Sequence, residues 1–375
     1  MAKKVIISVI SDLATDQRIH RSASTLHEQG FEVEVIGRKL PGSMAMPERP
    51  YQTKRFNLWF HKGPFFYLLY NCRLFWYLMF SKADVLFSND LDTLTANYYI
   101  AKWKKLPLVY DSHEYFTGVP ELVNRHRKRN IWKSIERKMV PKVDVMFTVN
   151  ESIAGLYKEE LGVKAIVLRN VPEYFEVVNV DKTKLRQELN LPVNKSIYIL
   201  QGSGINIQRG AEEMVEAMQF ISSGVLLIIG GGDVIELLKS MLKQLHLEEK
   251  VLIKSKMPQQ ELRKFTLAAD VGLSLDKDLS INYRFSLPNK LFDYIHAGLP
   301  VLASDLPEVK RIVEHYNVGM IAKSHDPKEL AILLQQMTVD TQQMDQWKHN
   351  ALLAAKELHW QKEKLVLINE FQKYI

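Results

Sequence analysis

Short apolar, β-branched runs alternate with segments of helical period along the whole chain, and this alternation constrains the fold more than any other feature. In the first half, Val5–Ile10, Glu32–Gly37, Val85–Ser88, Pro107–Tyr110, Asp144–Val149 and Ala165–Leu168 predict strands. Helical patterns over 16–30, 65–81, 93–105, 130–140 and 151–161 separate them. The second half repeats the plan, with strands at Ser196–Gln201, Val225–Ile229, Val251–Lys254, Val271–Ser274, Pro300–Ala303 and Gly319–Ile321. Its helices are predicted over 210–220, 234–245, 259–268, 288–297 and 308–315. Strands that are apolar on both faces, each followed by a helix, form parallel sheets covered on both sides. Two series of about six strands predict an α/β chain of two Rossmann-like domains rather than one eight-fold barrel, which needs no break at its middle. The stretch 170–194, with Pro172, Pro192 and little strand pattern, is such a break. The expected domains are 1–175 and 176–355, followed by a helical tail over 356–375.

The length of 375 residues fits two domains at roughly 150 residues each. With 46% hydrophobic and 25% charged residues, extensive disorder is excluded. Cys72 is the single cysteine, which excludes an internal disulfide framework and a Cys-based zinc site and fits a reducing cytoplasm. The opening stretch holds only about seven apolar residues before Asp12, short for a signal peptide. No run reaches the ~18 apolar residues of a membrane span; the nearest, 65–80, is interrupted by Asn71 and Arg73. Residues 1–175 carry 26 Lys+Arg against 18 Asp+Glu, whereas 176–375 carry 24 against 25. The net charge of +7 therefore lies in the first half, where an anionic partner is expected.

Ligands of open α/β sheets bind beyond the carboxyl ends of the strands. In the first half three such loops carry chemistry. Along Ser11–Arg18, Asp16 reads as a helix N-cap, and Arg18 and His20 are candidates to face an anionic acceptor. After the third predicted strand, Asp90 is the cleft candidate and Asp92 a helix cap. In Asp111-Ser-His-Glu114, His113 can donate to a sugar or leaving-group oxygen, or be a satisfied loop histidine. In the second half, the glycines of Gly202–Gly210 let backbone approach a phosphate, and Arg209 can grip a diphosphate bidentately; the alternative is a surface Arg on a turn. Gly230-Gly-Gly-Asp233 lacks dinucleotide-fingerprint spacing and reads as a tight turn. In segment 282–308, Pro288 opens a helix with Ser286 as its cap. The free N–H groups at such an end suit an anion, and Asp293, one turn in, can reach a sugar hydroxyl.

Segment 282–308, together with the loops above, resembles the donor-binding signature of GT-B glycosyltransferases, in particular the retaining group called family 4. The resemblance covers nearly the whole chain. It implies two Rossmann-like domains facing across a cleft, with the C-terminal helix returning to the first. It also implies roles for individual residues. Asp293 stands where the family binds ribose, and Phe285 stands where it has the Glu that contacts the donor sugar. Pro288, Asn289 and Lys290 would lie along the diphosphate, with Lys290 either adding charge there or simply solvated. Gly202, Ser203 and Arg209 form the phosphate loop, with Ser203 replacing the first of the family's two cations. Met257 would contact the base. His113 and Arg209 become the catalytic candidates, with Asp16, Arg18, His20, Asp90 and Glu114 on the acceptor side.

The implied activity is transfer of a sugar, with retention, from a nucleotide-diphosphate sugar to a glycan or lipid-linked acceptor. No metal is expected, because Arg209 and the helix start would hold the diphosphate, and Asp276-Lys-Asp278 lies outside a metal-motif setting. Phe285 and Ser203 leave room for a catalytically impaired nucleotide-sugar-binding protein, and a sugar-nucleotide epimerase shares the fold. No nucleic-acid motif is present. Eight Lys+Arg over 125–142 and the aromatic-rich stretch 56–80 read either as an interface with an anionic membrane at its cytoplasmic face or as a solvated helix over a core.

Overall fold

The computed structural model describes residues 2–177 and 180–375. The chain divides into two compact units. The first runs up to Asn170 and takes in Ser280–Asn282 and Trp360–Ile375; the second holds Val171–Leu279 and Tyr283–His359.

In the first unit the strands are β1 (Lys4–Ser8), β2 (Glu32–Lys39), β3 (Gln52–Asn57), β4 (Val85–Asn89), β5 (Leu108–Ser112), β6 (Val145–Thr148) and β7 (Ile166–Val167). They form one parallel sheet of order β3-β2-β1-β4-β5-β6-β7. The strand order reverses between β1 and β4, so their carboxyl ends open the crevice in which such sheets bind ligands. β5 extends further than expected and takes Asp111 and Ser112 into the strand, paired with Phe147 and Thr148. β3 was not anticipated. It is an edge strand with alternate residues exposed and so lacks the apolar run that marks a buried parallel strand.

The second unit holds β8 (Ser196–Gly202), β9 (Gly224–Gly230), β10 (Val251–Lys254), β11 (Val271–Ser274), β12 (Val301–Ser304) and β13 (Gly319–Ala322). Their order is β10-β9-β8-β11-β12-β13, again parallel, with the reversal between β8 and β11. Apolar cores cover both faces, one around Leu200, Leu226 and Leu273, the other around Ile199, Leu227 and Phe292. The expected break at 170–194 contains a helix, Lys182–Glu188, capped by Asp181. Arg186 in this helix is buried and donates to the Asp270 carboxylate at 2.6 Å and the Ala268 carbonyl at 2.9 Å.

Helix Thr341–Ala355 packs on the second unit through Met344, Trp347 and Ala351. The last helix, Trp360–Phe371, belongs to the first unit. The Trp360 indole N–H donates to Thr25 Oγ1 at 3.1 Å, and Leu367 and Phe371 join the core of Val5, Val33 and Phe87. Apolar burial of this kind, at about 25 cal/mol per Å², is what fixes the tail. Among the described residues no helix is long and apolar enough to cross a membrane.

Candidate active site

At the switch point of the first unit, β4 ends and Asp90 follows with φ 58° and ψ 164°. Only glycine enters this region readily, and another residue there costs about 1–3 kcal/mol, a strain that gathers at functional sites. Two bonds hold it: the Asp90 amide donates to the Asp111 carbonyl at 2.8 Å, and the Asp90 carboxylate accepts the His113 amide at 2.9 Å. The His113 ring lies between two carboxylates, with Nδ1 3.2 Å from Asp90 and Nε2 3.3 Å from Asp111. Asn89 Oδ1 is 3.2 Å from the same Nε2. Burial pulls the His113 pKa down, but Asp90 and Asp111 outweigh it and hold the pKa at about 9. At neutral pH the imidazole is therefore a cation with two donors.

Arg18 does not face solvent, as an anion-contacting residue would. It is buried, with Nε and Nη2 donating to Asp111 at 2.9 and 2.7 Å and Nη1 to the Leu168 carbonyl at 2.9 Å. Burial would raise the Asp111 pKa, yet Arg18 and His113 bring it well below the usual range. His20 is half-buried against Tyr51 and Ser24, and burial, then Arg49 and Arg21, lower its pKa to about 4. It is neutral at pH 7 and offers no charge to an anion. Asp16 is the N-cap of Gln17–Glu28, accepting the Ile19 amide at 3.0 Å. Asp92 does not cap its helix. It is buried in the first turn, where burial and Asp90 push its pKa well up, and its Oδ1 finds no hydrogen-bond partner among the described residues. Burial, then Asp90, also push Glu114 up to about 7. The Asn282 side chain donates to Glu114 at 2.9 Å and accepts the Tyr115 amide at 3.1 Å.

In the second unit the Gly202–Gly210 and Gly230–Asp233 loops pack on each other. The Ile205 amide donates to the Gly231 carbonyl at 2.8 Å and the Ile207 amide to Asp233 at 3.0 Å. A Cβ at Gly230 or Gly232 would lie 1.9 Å from the carbonyl oxygen of Gly202 or Ile205, so this close approach requires glycine. Gly210, with φ +77°, lies against Leu275 and brings Arg209 beside Asp276. Asp276 is buried just past the carboxyl end of β11. Arg209 Nη1 is 3.3 Å from its Oδ1 and Lys290 Nζ is 3.1 Å from its Oδ2. Two cations thus share one carboxylate, leaving one excess positive charge. Arg209 also lies over the Tyr283 ring at 5.1 Å, and Lys290 is buried rather than solvated.

One turn into helix Asn289–His296, the Asp293 carboxylate accepts Gln201 Nε2 at 3.1 Å and Gln259 Nε2 at 3.4 Å. Thr266 donates to Gln201 Oε1 at 2.8 Å and fixes that amide. Gly202 ends β8 next to Gln201, whereas Ser203 is exposed. Pro288, not Ser286, is the N-cap; the Ser286 hydroxyl donates to the Tyr283 carbonyl at 2.9 Å. Asn289 is exposed at the helix start, Phe285 is half-buried, and Met257 packs on the core beside β10. Asp278 pairs with Arg284 at 3.2 Å instead of joining Asp276.

Asp276, Gln201, Asn89 and Asn282 were not singled out as site residues from the sequence. Asp276 had a usable signal: like Asp90, it is the first acidic residue after a buried strand.

Two family models match successive parts of the chain: "Glycosyltransferase Family 4" over residues 16–172 and "Glycosyl transferases group 1" over residues 181–353. The chain is a family 4-like GT-B glycosyltransferase by descent. This family 4-like chain is 26% identical over 161 residues to the amylovoran biosynthesis glycosyltransferase AmsK of Erwinia amylovora, 42% of this chain and 40% of that protein. It is 28% identical over 131 residues to a chitobiosyldiphosphodolichol beta-mannosyltransferase of Candida albicans, 34% of this chain and 28% of that protein. The matched stretches thus span well under half of these curated relatives. Among solved structures, the sucrose-phosphate synthase of Thermosynechococcus elongatus has a TM-score of 0.84 at 14% identity, covering 99% of this chain and 98% of that one. HepE of Anabaena in complex with UDP and glucose has a TM-score of 0.79 at 14% identity, covering 99% and 100%. At such identities these structures establish that the family 4-like chain has the GT-B fold.

Proposed function

We propose that the protein moves a sugar from a nucleotide-diphosphate sugar to a glycan or lipid-linked saccharide acceptor, with retention of configuration, in the reducing cytoplasm. The observation that carries this reading is the Arg209–Asp276–Lys290 cluster, two cations on one buried carboxylate at a switch point. Its excess charge suits a diphosphate, and Asp293, pre-oriented by Gln201 and Gln259, suits a ribose. The names of AmsK and of the HepE complex agree with sugar transfer and with a uridine nucleotide. In the proposed reaction the bond from the anomeric carbon to the diphosphate oxygen breaks, and its electrons stay on the diphosphate. The acceptor oxygen bonds to the same face of that carbon, and its proton passes to the leaving oxygen. Arg209 and Lys290 stabilise the developing charge, so the proposal includes turnover that withstands EDTA. The protonated His113, whose two ring N–H groups face Asp90 and Asp111, supplies positive charge on the acceptor side. A thermal-shift series with UDP, GDP, ADP and their sugars tests donor binding. The anomeric configuration of the product, read by NMR, tests retention.

Phe285 has no hydrogen-bond acceptor on its side chain, which favours a second reading: a nucleotide-sugar-binding protein without transfer. Donor binding with neither transfer nor hydrolysis would select it.

Two substitutions follow. Asp293→Asn is expected to keep the fold and weaken ribonucleotide binding about tenfold, the loss of a charge-assisted bond; calorimetry that finds parent affinity returns Asp293 to a surface role. His113→Ala is expected to lower kcat on the order of 100-fold with donor affinity nearly unchanged. It also carries a stability signature. A histidine pKa raised from 6.5 to about 9 contributes stability that is complete below pH 6.5 and lost as pH rises toward 9. Urea melts of the parent should lose stability across that window, and those of the variant should not.

A further inference from the structure

We propose that the outer face of helix Pro64–Phe80 and its neighbour Leu91–Lys104 docks the first unit on an anionic lipid surface. The aromatic stretch divides cleanly. Phe66, Tyr70, Leu74 and Leu78 are buried, whereas Phe65, Leu68, Trp76 and Phe80 form an exposed stripe along one side of the helix. Trp59, just before the helix, is 93% exposed and Phe80 is 80% exposed. The two helices run side by side in the same direction. Asn71 bonds the Asp92 carbonyl and the Ala96 amide at 2.7 and 3.2 Å, and Lys104 donates to the Leu78 and Ser81 carbonyls at 2.9 and 2.7 Å. The exposed Trp103 therefore lies at the Phe80 end of the stripe.

Charge decides what covers this face. From Arg49 to Ala83 the chain contains no Asp or Glu, and the one acid of the neighbouring helix, Asp92, is buried. Lys62, Lys82, Lys102 and Lys105 are exposed around the aromatic side chains. A second copy across a two-fold axis would set these lysines against one another. An anionic bilayer complements both parts: the aromatic rings sit at headgroup level and the lysine stems reach outward to the phosphates. The inference stands apart from the donor site and does not require it.

The test uses the full chain and vesicles of phosphatidylcholine alone or mixed with phosphatidylglycerol. Co-sedimentation with the mixed vesicles at low salt is expected, with strong loss at about 1 M salt, where the Debye length falls to about 3 Å. The triple variant Phe65→Ser, Trp76→Ser, Phe80→Ser changes exposed side chains only, and its fold is checked by thermal melting. Its affinity for mixed vesicles is expected to fall at least about tenfold. Failure of the parent to bind mixed vesicles, equal binding to neutral ones, or parent-like binding by the folded variant each overturns the proposal. So does a parent dimer that the triple variant dissolves, read by analytical ultracentrifugation. Nucleotide binding by both proteins, measured without vesicles, is expected to be the same. Failure on vesicles thus leaves the sugar-transfer reading intact, and failure to bind nucleotide leaves the docking face intact.

Discussion

Asp111→Ala is expected to destabilise the protein by about 3–5 kcal/mol, the usual result of removing one partner from a buried ion pair. Asp111 is fully buried in β5, and its carboxylate takes two bonds from Arg18, itself 4% exposed. Truncation leaves the guanidinium inside the unit with, among the described residues, the Leu168 carbonyl as its remaining bonded acceptor, and removes one of the two carboxylates that hold His113 charged. The double variant Arg18→Met, Asp111→Leu removes the stranded charge and is expected to be more stable than the single one. Urea unfolding at pH 7 checks both. The sign with pH follows from the lowered Asp111 pKa. Its contribution is present above the unfolded value of 3.8 and is lost as pH falls through the folded value, so parent and variant should converge in acid. A cost below about 1 kcal/mol at pH 7 would mean that the pair is solvated and would sink the prediction.

Arg209→Ala should weaken nucleoside-diphosphate binding about 30-fold, or about 2 kcal/mol, while leaving nucleoside binding nearly unchanged. With both cations present, Asp276 neutralises one and an excess charge remains for a ligand. Without Arg209, Lys290 and Asp276 cancel, so the site loses its net attraction as well as a bidentate donor. The converse change, Asp276→Asn, should keep both cations and tighten diphosphate binding. Calorimetry with UDP, GDP and ADP beside their nucleosides separates the contributions. Equal diphosphate affinity in parent and Arg209→Ala would remove Arg209 from the donor site.

Much of this molecule is local in origin. Among the described residues, periodicity located twelve of the thirteen strands, most of them buried on both faces and so continuous in apolar residues. The exception, β3, is half-exposed and polar, and helix Lys182–Glu188 lay hidden in a stretch judged only by its missing strands. Capping by Asp16 was likewise readable, since it depends on a few neighbouring residues; Gly230 and Gly232 read as a tight turn, and their close approach to Gly202 and Ile205 comes from the fold. Charge state and pairing were not. Arg18 and Asp111 are 93 positions apart, and only the fold, which sets the start of helix Gln17–Glu28 against the carboxyl end of β5, makes them partners. Lys290 was as readily a solvated lysine until Asp276 was found beneath it, and His20 passed for a cation until its burial was known. Strand and turn preferences are settled within a few residues of chain. Whether a buried group is ionised depends on which distant charge the fold sets within about 4 Å of it, and on how much water it excludes.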